Sequence, residues 1–340
     1  MLAESYIHRL NPYVIQLTED IGLRWYGLAY IAGFIAGLWF IKWMAKTGRS
    51  PLTPEQSGDV VFSGVMGLLL GGRIGYALFY DPSLLFGFSN SFPWWDLLAI
   101  NQGGMASHGG IIGVLIALWL WGRKHKVSVL HLTDLVSVAC TAGLFFGRIA
   151  NFINAELWGK QLSQQTSAPW WSVKYPSEIT EIWTQNPQQH AEKLQAIDQL
   201  RVTTVGGSES FYASVVAGAN EGNAEILATI GPQLTAWYPS QLFQAITDGP
   251  LLLATLVVVW CVPRSPGIVS GWFLITYGTF RIATEVFRQP DEGVSIIVGL
   301  SRGQLLSVAM LAAGGMMLSI CSRKKQPKYG SIIHPMRASG

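Results

Sequence analysis

Tyr277, Arg281, Glu285 and Arg288 fall at i, i+4, i+8 and i+11 in an apolar stretch. On an α-helix that spacing puts a phenol, a cation, an anion and a second cation on one face. The plain alternative is an Arg281/Glu285 pair that only neutralises itself, yet its order, cation before anion, is the weaker one for an i,i+4 pair. A second cluster lies in "FFGRIANFINAELWG", residues 145–159, where Arg148 and Asn151 share a face and Asn154, Glu156 and Gly159 follow. Its plain alternative is a snorkelling arginine followed by a helix C-terminal turn. Together Arg148 and Arg281 offer two permanently charged, fork-shaped donors, which is the chemistry that suits a phosphate.

Three further groups are candidates. Arg73, in "LLLGGRIGYALFY", is a charge deep in an apolar segment, expected to pair with Glu285 or to meet a lipid head group. His108, in "GGMASHGGIIG", carries an imidazole suited to proton transfer near neutral pH, although a lone histidine is more often structural. It has no second His or Cys at metal-ligand spacing, so a metal site is not expected. Tyr26 lies in "RWYG", where an aromatic belt at a membrane surface would also place it. "YPSQLF", residues 238–243, reads as a Pro-Ser turn that caps a helix.

The elements that must position these groups are membrane helices. The 340 residues are 50% apolar and 13% charged, far below the roughly 25% charged residues of an average soluble domain. A bilayer core of about 30 Å needs roughly 20 apolar residues per helix. Seven segments qualify, near 24–44, 58–80, 104–122, 130–153, 239–262, 268–288 and 302–321. Lys42, Lys46 and Arg49 follow the first, Arg123, Lys124 and Lys126 the third, Arg264 the fifth, and Arg323, Lys324, Lys325 and Lys328 the seventh, whereas 81–103 has no Lys or Arg. Positive charge collects in the cytoplasm, so the N-terminus is expected outside and the C-terminus inside.

The expected fold is thus an all-α integral membrane protein, seven transmembrane helices with a small extracytoplasmic head. Residues 1–153 hold an outer N-terminal segment and helices one to four, 154–238 the head, 239–321 helices five to seven, and 322–340 a flexible cytoplasmic tail. Residues 186–201, "NPQQHAEKLQAIDQLR", are expected to form a capped amphipathic helix within the head. The N-terminus lacks the pattern of a cleaved signal peptide. A formal charge of +3 with no continuous basic stripe sets nucleic acid aside as a partner. Cys140, Cys261 and Cys321 have no ligand-like spacing and read as small apolar side chains.

Six motifs in order, "LRWYGLAYIAGF", "GGRIGY", "GGMASHGGIIG", "GRIANFINAELWGK", "YPSQLF" and "YGTFRIATEVFRQPD", make the sequence resemble the bacterial prolipoprotein diacylglyceryl transferases. The resemblance implies seven transmembrane helices and location in the bacterial cytoplasmic membrane, with the active site toward the outer leaflet. The implied reaction moves the diacylglyceryl group of phosphatidylglycerol to the lipobox cysteine of a prolipoprotein signal peptide, leaving a thioether and releasing glycerol-1-phosphate. No cofactor is implied. The family's functional positions fall on Tyr26, His108, Arg148, Asn151, Glu156, Gly159, Tyr277, Arg281, Glu285 and Arg288. Ala150 and Ala155 stand where the family commonly has Gly, Phe243-Gln244 where Tyr-Glu is expected, and the head is longer than usual. A transporter or channel, or a lipid acyltransferase using His108 as base, are the alternative readings of the same intramembrane charges.

Overall fold

The computed structural model describes residues 5–16, 22–90, 92–99, 103–162, 168–200, 208–289 and 301–332. Helices dominate. Five helical stretches are long and apolar enough to cross a membrane: α1 (Trp25–Lys46), α2 (Pro54–Phe79), α4 (Val129–Ile153), the run Ser240–Val259 and Gly303–Arg323. Two shorter helices, α3 (Ser107–His125) and α10 (Ile268–Glu285), occupy the third and sixth segments expected from sequence. Along α1, Ile31, Ile35 and Trp39 recur every four residues and are each more than half exposed. Such an outward apolar stripe is a liability in water and a good contact for lipid tails, as in an integral membrane protein.

The chain divides into two compact units. The first comprises Met1–Ile31, Leu144–Pro250 and Thr279–Val308, and the second Ala32–Gly143, Leu251–Gly278 and Ala309–Gly340.

In the second unit α2 begins four residues before its expected start, because Thr53 and Gln56 form a reciprocal capping box and Pro54 takes the first turn. Glycines at 67, 71 and 75 on α2 face Gly109 and Gly113 on α3 so closely that a Cβ on Gly75 would lie 2.7 Å from the Gly109 Cα. Small residues at four-residue spacing let two apolar helices pack backbone to backbone. Buried Asp134 on α4 accepts hydrogen bonds from the Gly267 and Ser270 amides and the Ser270 hydroxyl, holding the start of α10.

The expectation of a flexible tail fails for its first part. Tyr329 pairs with Arg264, the Ser331 carbonyl accepts from Arg49 Nε at 2.7 Å, and Ile332 N donates to the Trp260 carbonyl. Gly330, at φ +79°, packs against the Trp260 indole, whose Nε1 donates to the Tyr329 carbonyl. These bonds satisfy polar groups at the ends of the helices that would otherwise stay unpaired.

In the first unit, β1 (Tyr6–Ile7) runs parallel to β4 (Val173–Lys174), and β2 (Tyr13–Gln16) antiparallel to β3 (Gly22–Arg24). These short pairs qualify the all-α expectation. Three helices, α5 (Ala191–Asp198), α6 (Ser208–Asn220) and α7 (Ala224–Ile230), close over a core that includes Trp183, Ile197, Phe211, Val215 and Ile230. Of the amphipathic helix expected over 186–201, whose last residue lies outside the described residues, Ala191–Asp198 is α-helical, and His190 gives it no side-chain cap. Buried Glu178 replaces it as an organiser, accepting from Trp183 Nε1, Trp237 Nε1 and the amide and hydroxyl of Thr235, with Lys193 Nζ 3.6 Å away.

The run Ser240–Val259 is not one regular helix. α8 (Ser240–Ile246) passes into a π-turn over Thr247–Leu251 before α9 (Leu252–Val259) resumes. Pro250 lies in that turn and has no amide to continue the α ladder.

Candidate functional site

Arg148 lies near the end of α4 with its Nε 3.4 Å from Oδ2 of Asp248. Asp248 is fully buried and sits on the π-turn, where the extra residue per turn displaces it from the register of α8. It interacts electrostatically with both Arg148 and Arg281, so one carboxylate serves the two arginines singled out from the sequence. Arg281 Nε is 3.8 Å from Glu285 Oε2, while its Nη1 is buried with no partner among the described residues. Glu285 also accepts from the Ser301 hydroxyl at 3.1 Å and lies 4.0 Å from Arg288 Nη1. The Arg281/Glu285 spacing thus does form the pair read from the sequence, but as part of a wider network.

The 145–159 motif builds a second group. Asn151 Nδ2 donates to the Tyr26 hydroxyl, which donates to Glu156 Oε2 at 3.0 Å. Beyond α4 the chain turns sharply, with Ala155 at φ +52° and Leu157 at φ +55° on either side of Glu156. Left-handed conformations at non-glycine residues cost roughly 1–3 kcal/mol each and persist only where the surroundings enforce them. Ala155 thus occupies a backbone position that favours Gly. Gly159 bridges to Arg288 and donates its amide to the Tyr238 carbonyl; a Cβ there would lie 2.6 Å from the Phe287 carbonyl. Only glycine fits that approach.

Three of the sequence candidates belong to the second unit. His108 is the second residue of α3, exposed, and preceded by Gly103 and Gly104 at positive φ. Tyr277 stacks on Phe273 with ring centroids 5.7 Å apart. Arg73 overturns its expected pairing with Glu285 or a lipid head group. Its Nε donates to the Leu97 carbonyl, Nη1 to those of Gly103 and Gly104, and Nη2 to those of Asp96 and Ala99. A guanidinium has five N–H donors, and five main-chain carbonyls of the loop between α2 and α3 take them.

Sequence reading missed Asp248, although the rule that flags intramembrane charge applied to it as it did to Arg281. It also misassigned "YPSQLF". Ser240 makes no helix cap; its hydroxyl donates to the Leu157 carbonyl at 3.0 Å, and Gln241 Nε2 donates to the Glu156 carbonyl at 2.6 Å. Among the described residues no three His, Cys, Asp or Glu side chains gather as a metal site.

Two titratable groups border this site outside the spanning helices. His8, buried among Phe152, Tyr175 and Tyr6, donates from Nε2 to the Phe152 carbonyl at 2.8 Å. Burial lowers its pKa to about 4, with the hydrogen bond only partly opposing. Burial first, and the Glu156 carboxylate second, raise the Glu181 carboxyl above the ordinary range.

A family model described as prolipoprotein diacylglyceryl transferase matches residues 12–320. A protein of Bdellovibrio bacteriovorus named phosphatidylglycerol–prolipoprotein diacylglyceryl transferase is 39% identical over 339 residues, covering 93% of this chain and 94% of its own length. Proteins of the same name from Yersinia pestis and Yersinia pseudotuberculosis are 34% identical over 331 residues, covering 96% of this chain and 99% of theirs.

Proposed function

The chain belongs to the prolipoprotein diacylglyceryl transferase family, and from that premise we propose that it alkylates the lipobox cysteine of prolipoprotein signal peptides with the diacylglyceryl group of phosphatidylglycerol. The thiolate sulfur attacks the glyceryl carbon, a C–S bond forms, the C–O bond to phosphate breaks with its electron pair, and glycerol-1-phosphate leaves. The chemistry calls for no cofactor, because the lipid is itself the activated donor.

The observation that carries this reading is Asp248 acting on both Arg148 and Arg281. Arg148, Arg281 and Arg288 stand against the two carboxylates of Asp248 and Glu285, an excess of one positive charge, and the Nη1 of Arg281 is a buried donor without a partner among the described residues. In the proposed mechanism the two guanidiniums grip the phosphate and stabilise the charge that grows on the leaving oxygen. Glu285 and Arg288 orient Arg281, and Tyr277 lies one turn before it in the sequence. Tyr26, Asn151 and Glu156 form a hydroxyl, amide and carboxylate set that suits the head-group glycerol, with Gly159 holding the backbone tight behind them. A cysteine thiol has a pKa of about 8.5, so it must lose a proton to His108 or to solvent under the pull of the arginines. A modest loss in His108→Gln beside a total loss in Arg281→Ala selects the second route, and equal total losses select the first.

In the full proposal the chain crosses the bacterial cytoplasmic membrane seven times, α3 and α10 included. The N-terminus and the 154–238 head lie outside, the C-terminus lies in the cytoplasm, and the reaction takes place at the outer leaflet. The lysine and arginine placement supports that orientation.

The test is mass spectrometry of a lipobox peptide incubated with the purified chain and phosphatidylglycerol. A diacylglyceryl mass gain that resists hydroxylamine and is absent from a Cys→Ala peptide is the expected result. A hydroxylamine-labile product would make the protein an acyltransferase instead, and solute flux in proteoliposomes without peptide modification would make it a transporter.

A further inference from the structure

Glu156 sits between two residues in the left-handed region, and every carbonyl of the three-residue turn is taken by a side chain. Trp158 Nε1 donates to the Ala155 carbonyl at 2.6 Å, Gln241 Nε2 to that of Glu156 at 2.6 Å, and Ser240 Oγ to that of Leu157 at 3.0 Å. Ser240 and Gln241 are both 1% exposed, so neither bond competes with water. The Gln241 amide is oriented from its other end, where Oε1 accepts from the buried Tyr175 hydroxyl at 3.4 Å, and the Tyr175 ring stacks on Trp158. A strained turn held at all three carbonyls by buried groups is over-determined.

We propose that Gln241, seconded by Ser240, is a positioning residue for the transfer reaction. It acts through the main chain of Glu156 to keep that carboxylate on the Tyr26 hydroxyl, in the set completed by Asn151. The inference rests on the function proposed above. Without the Gln241 donor the turn relaxes toward ordinary backbone angles and swings the Glu156 side chain off Tyr26. Misplacement by about 1 Å near reacting groups can cost about 100-fold in rate. Asp248 holds Arg148 from the next turns of the same helical run, so Ser240, Gln241 and Asp248 together brace both halves of the 145–159 motif.

The experiment compares Gln241→Glu, nearly the same size but with an acceptor in place of the donor, with the unaltered protein, using phosphatidylglycerol vesicles and a lipobox peptide. The expected result is a fall in kcat per folded molecule of about 100-fold, with KM for the lipid within about twofold, and a lowered thermal midpoint because the Glu156 carbonyl loses its buried donor. Adding Ala155→Gly, which makes φ +52° free of strain, recovers at least about tenfold of that loss. In a Glu156→Gln background, Gln241→Glu adds no further loss, because residues acting as a unit are not additive.

A Gln241→Glu rate within about twofold of the unaltered protein, or losses from Gln241→Glu and Glu156→Gln that multiply, would overturn the proposal. Hydrogen exchange of peptide 151–160 gives a reading that does not depend on turnover. The Gln241→Glu change should speed it while leaving peptide 179–200 protected. If the unaltered protein makes no thioether, the functional reading fails, while unchanged exchange at 151–160 removes the positioning role by itself.

Discussion

Arg73, buried on α2, and Arg281, half-buried on α10, use their donors in opposite ways. Arg73, in the second unit, places all five on main-chain carbonyls and ties Asp96, Leu97, Ala99, Gly103 and Gly104 to α2. Arg281, in the first unit, has a long 3.8 Å contact to Glu285 and an Nη1 with no partner among the described residues. Leaving a buried donor unsatisfied costs about 1–3 kcal/mol, and more for a charged group. On the function proposed above, the saturated guanidinium is a structural clamp and the unsaturated one the donor that meets the phosphate. Intramembrane charge flags both alike; only the destination of each N–H separates them.

Removing the unsaturated arginine should have the largest effect. Arg281→Ala should lower thioether formation per folded molecule by about 1,000-fold, read by peptide mass spectrometry. Asp248→Asn comes next. It keeps the shape of the side chain but leaves Arg148 and Arg281 without their shared counter-charge, so the rate should fall by about 100-fold and stability should drop as expected for a broken buried pair. Arg73→Leu should do the reverse of Arg281→Ala: stability falls by about 3 kcal/mol as five carbonyls lose their donor, residues 81–99 become open to protease, and the rate per folded molecule stays within about threefold.

The smallest effect is on pH. Native His8 stays neutral down to about pH 4, whereas the unfolded chain takes up that proton near the ordinary histidine value of 6.5. Between these values the unfolded state binds more protons, so stability is complete above about pH 6.5 and declines as the pH falls toward about 4. Thermal midpoints across that window should fall less steeply in His8→Gln.

The apolar helices were legible because each declares itself locally, by length, hydropathy and flanking charge. All seven expected segments carry helix, with ends that move by a few residues where caps such as Thr53 and Gln56 intervene. The Tyr277 to Arg288 face and the 145–159 cluster were legible for the same reason, since their members are neighbours in sequence. Pairings across the sequence were not. Arg148 and Asp248 are separated by 100 positions, Gln241 and the Glu156 carbonyl by 85, and Arg49 and the Ser331 carbonyl by 282. The left-handed turn at Ala155 was concealed because its residue is not a glycine, and the docked tail because its bonds run through main-chain atoms, which carry no residue-type signal.

The measurement that bears most directly on the phosphate grip is the single-turnover rate of thioether formation in Arg281→Lys and Arg73→Lys, each corrected for folded protein. Lysine keeps the charge of either arginine but not its planar fork. The account predicts a fall of about 100-fold or more for Arg281→Lys, and a rate within about threefold of the unaltered protein for Arg73→Lys. An Arg281→Lys enzyme that turns over normally, or an Arg73→Lys enzyme just as slow, would contradict it.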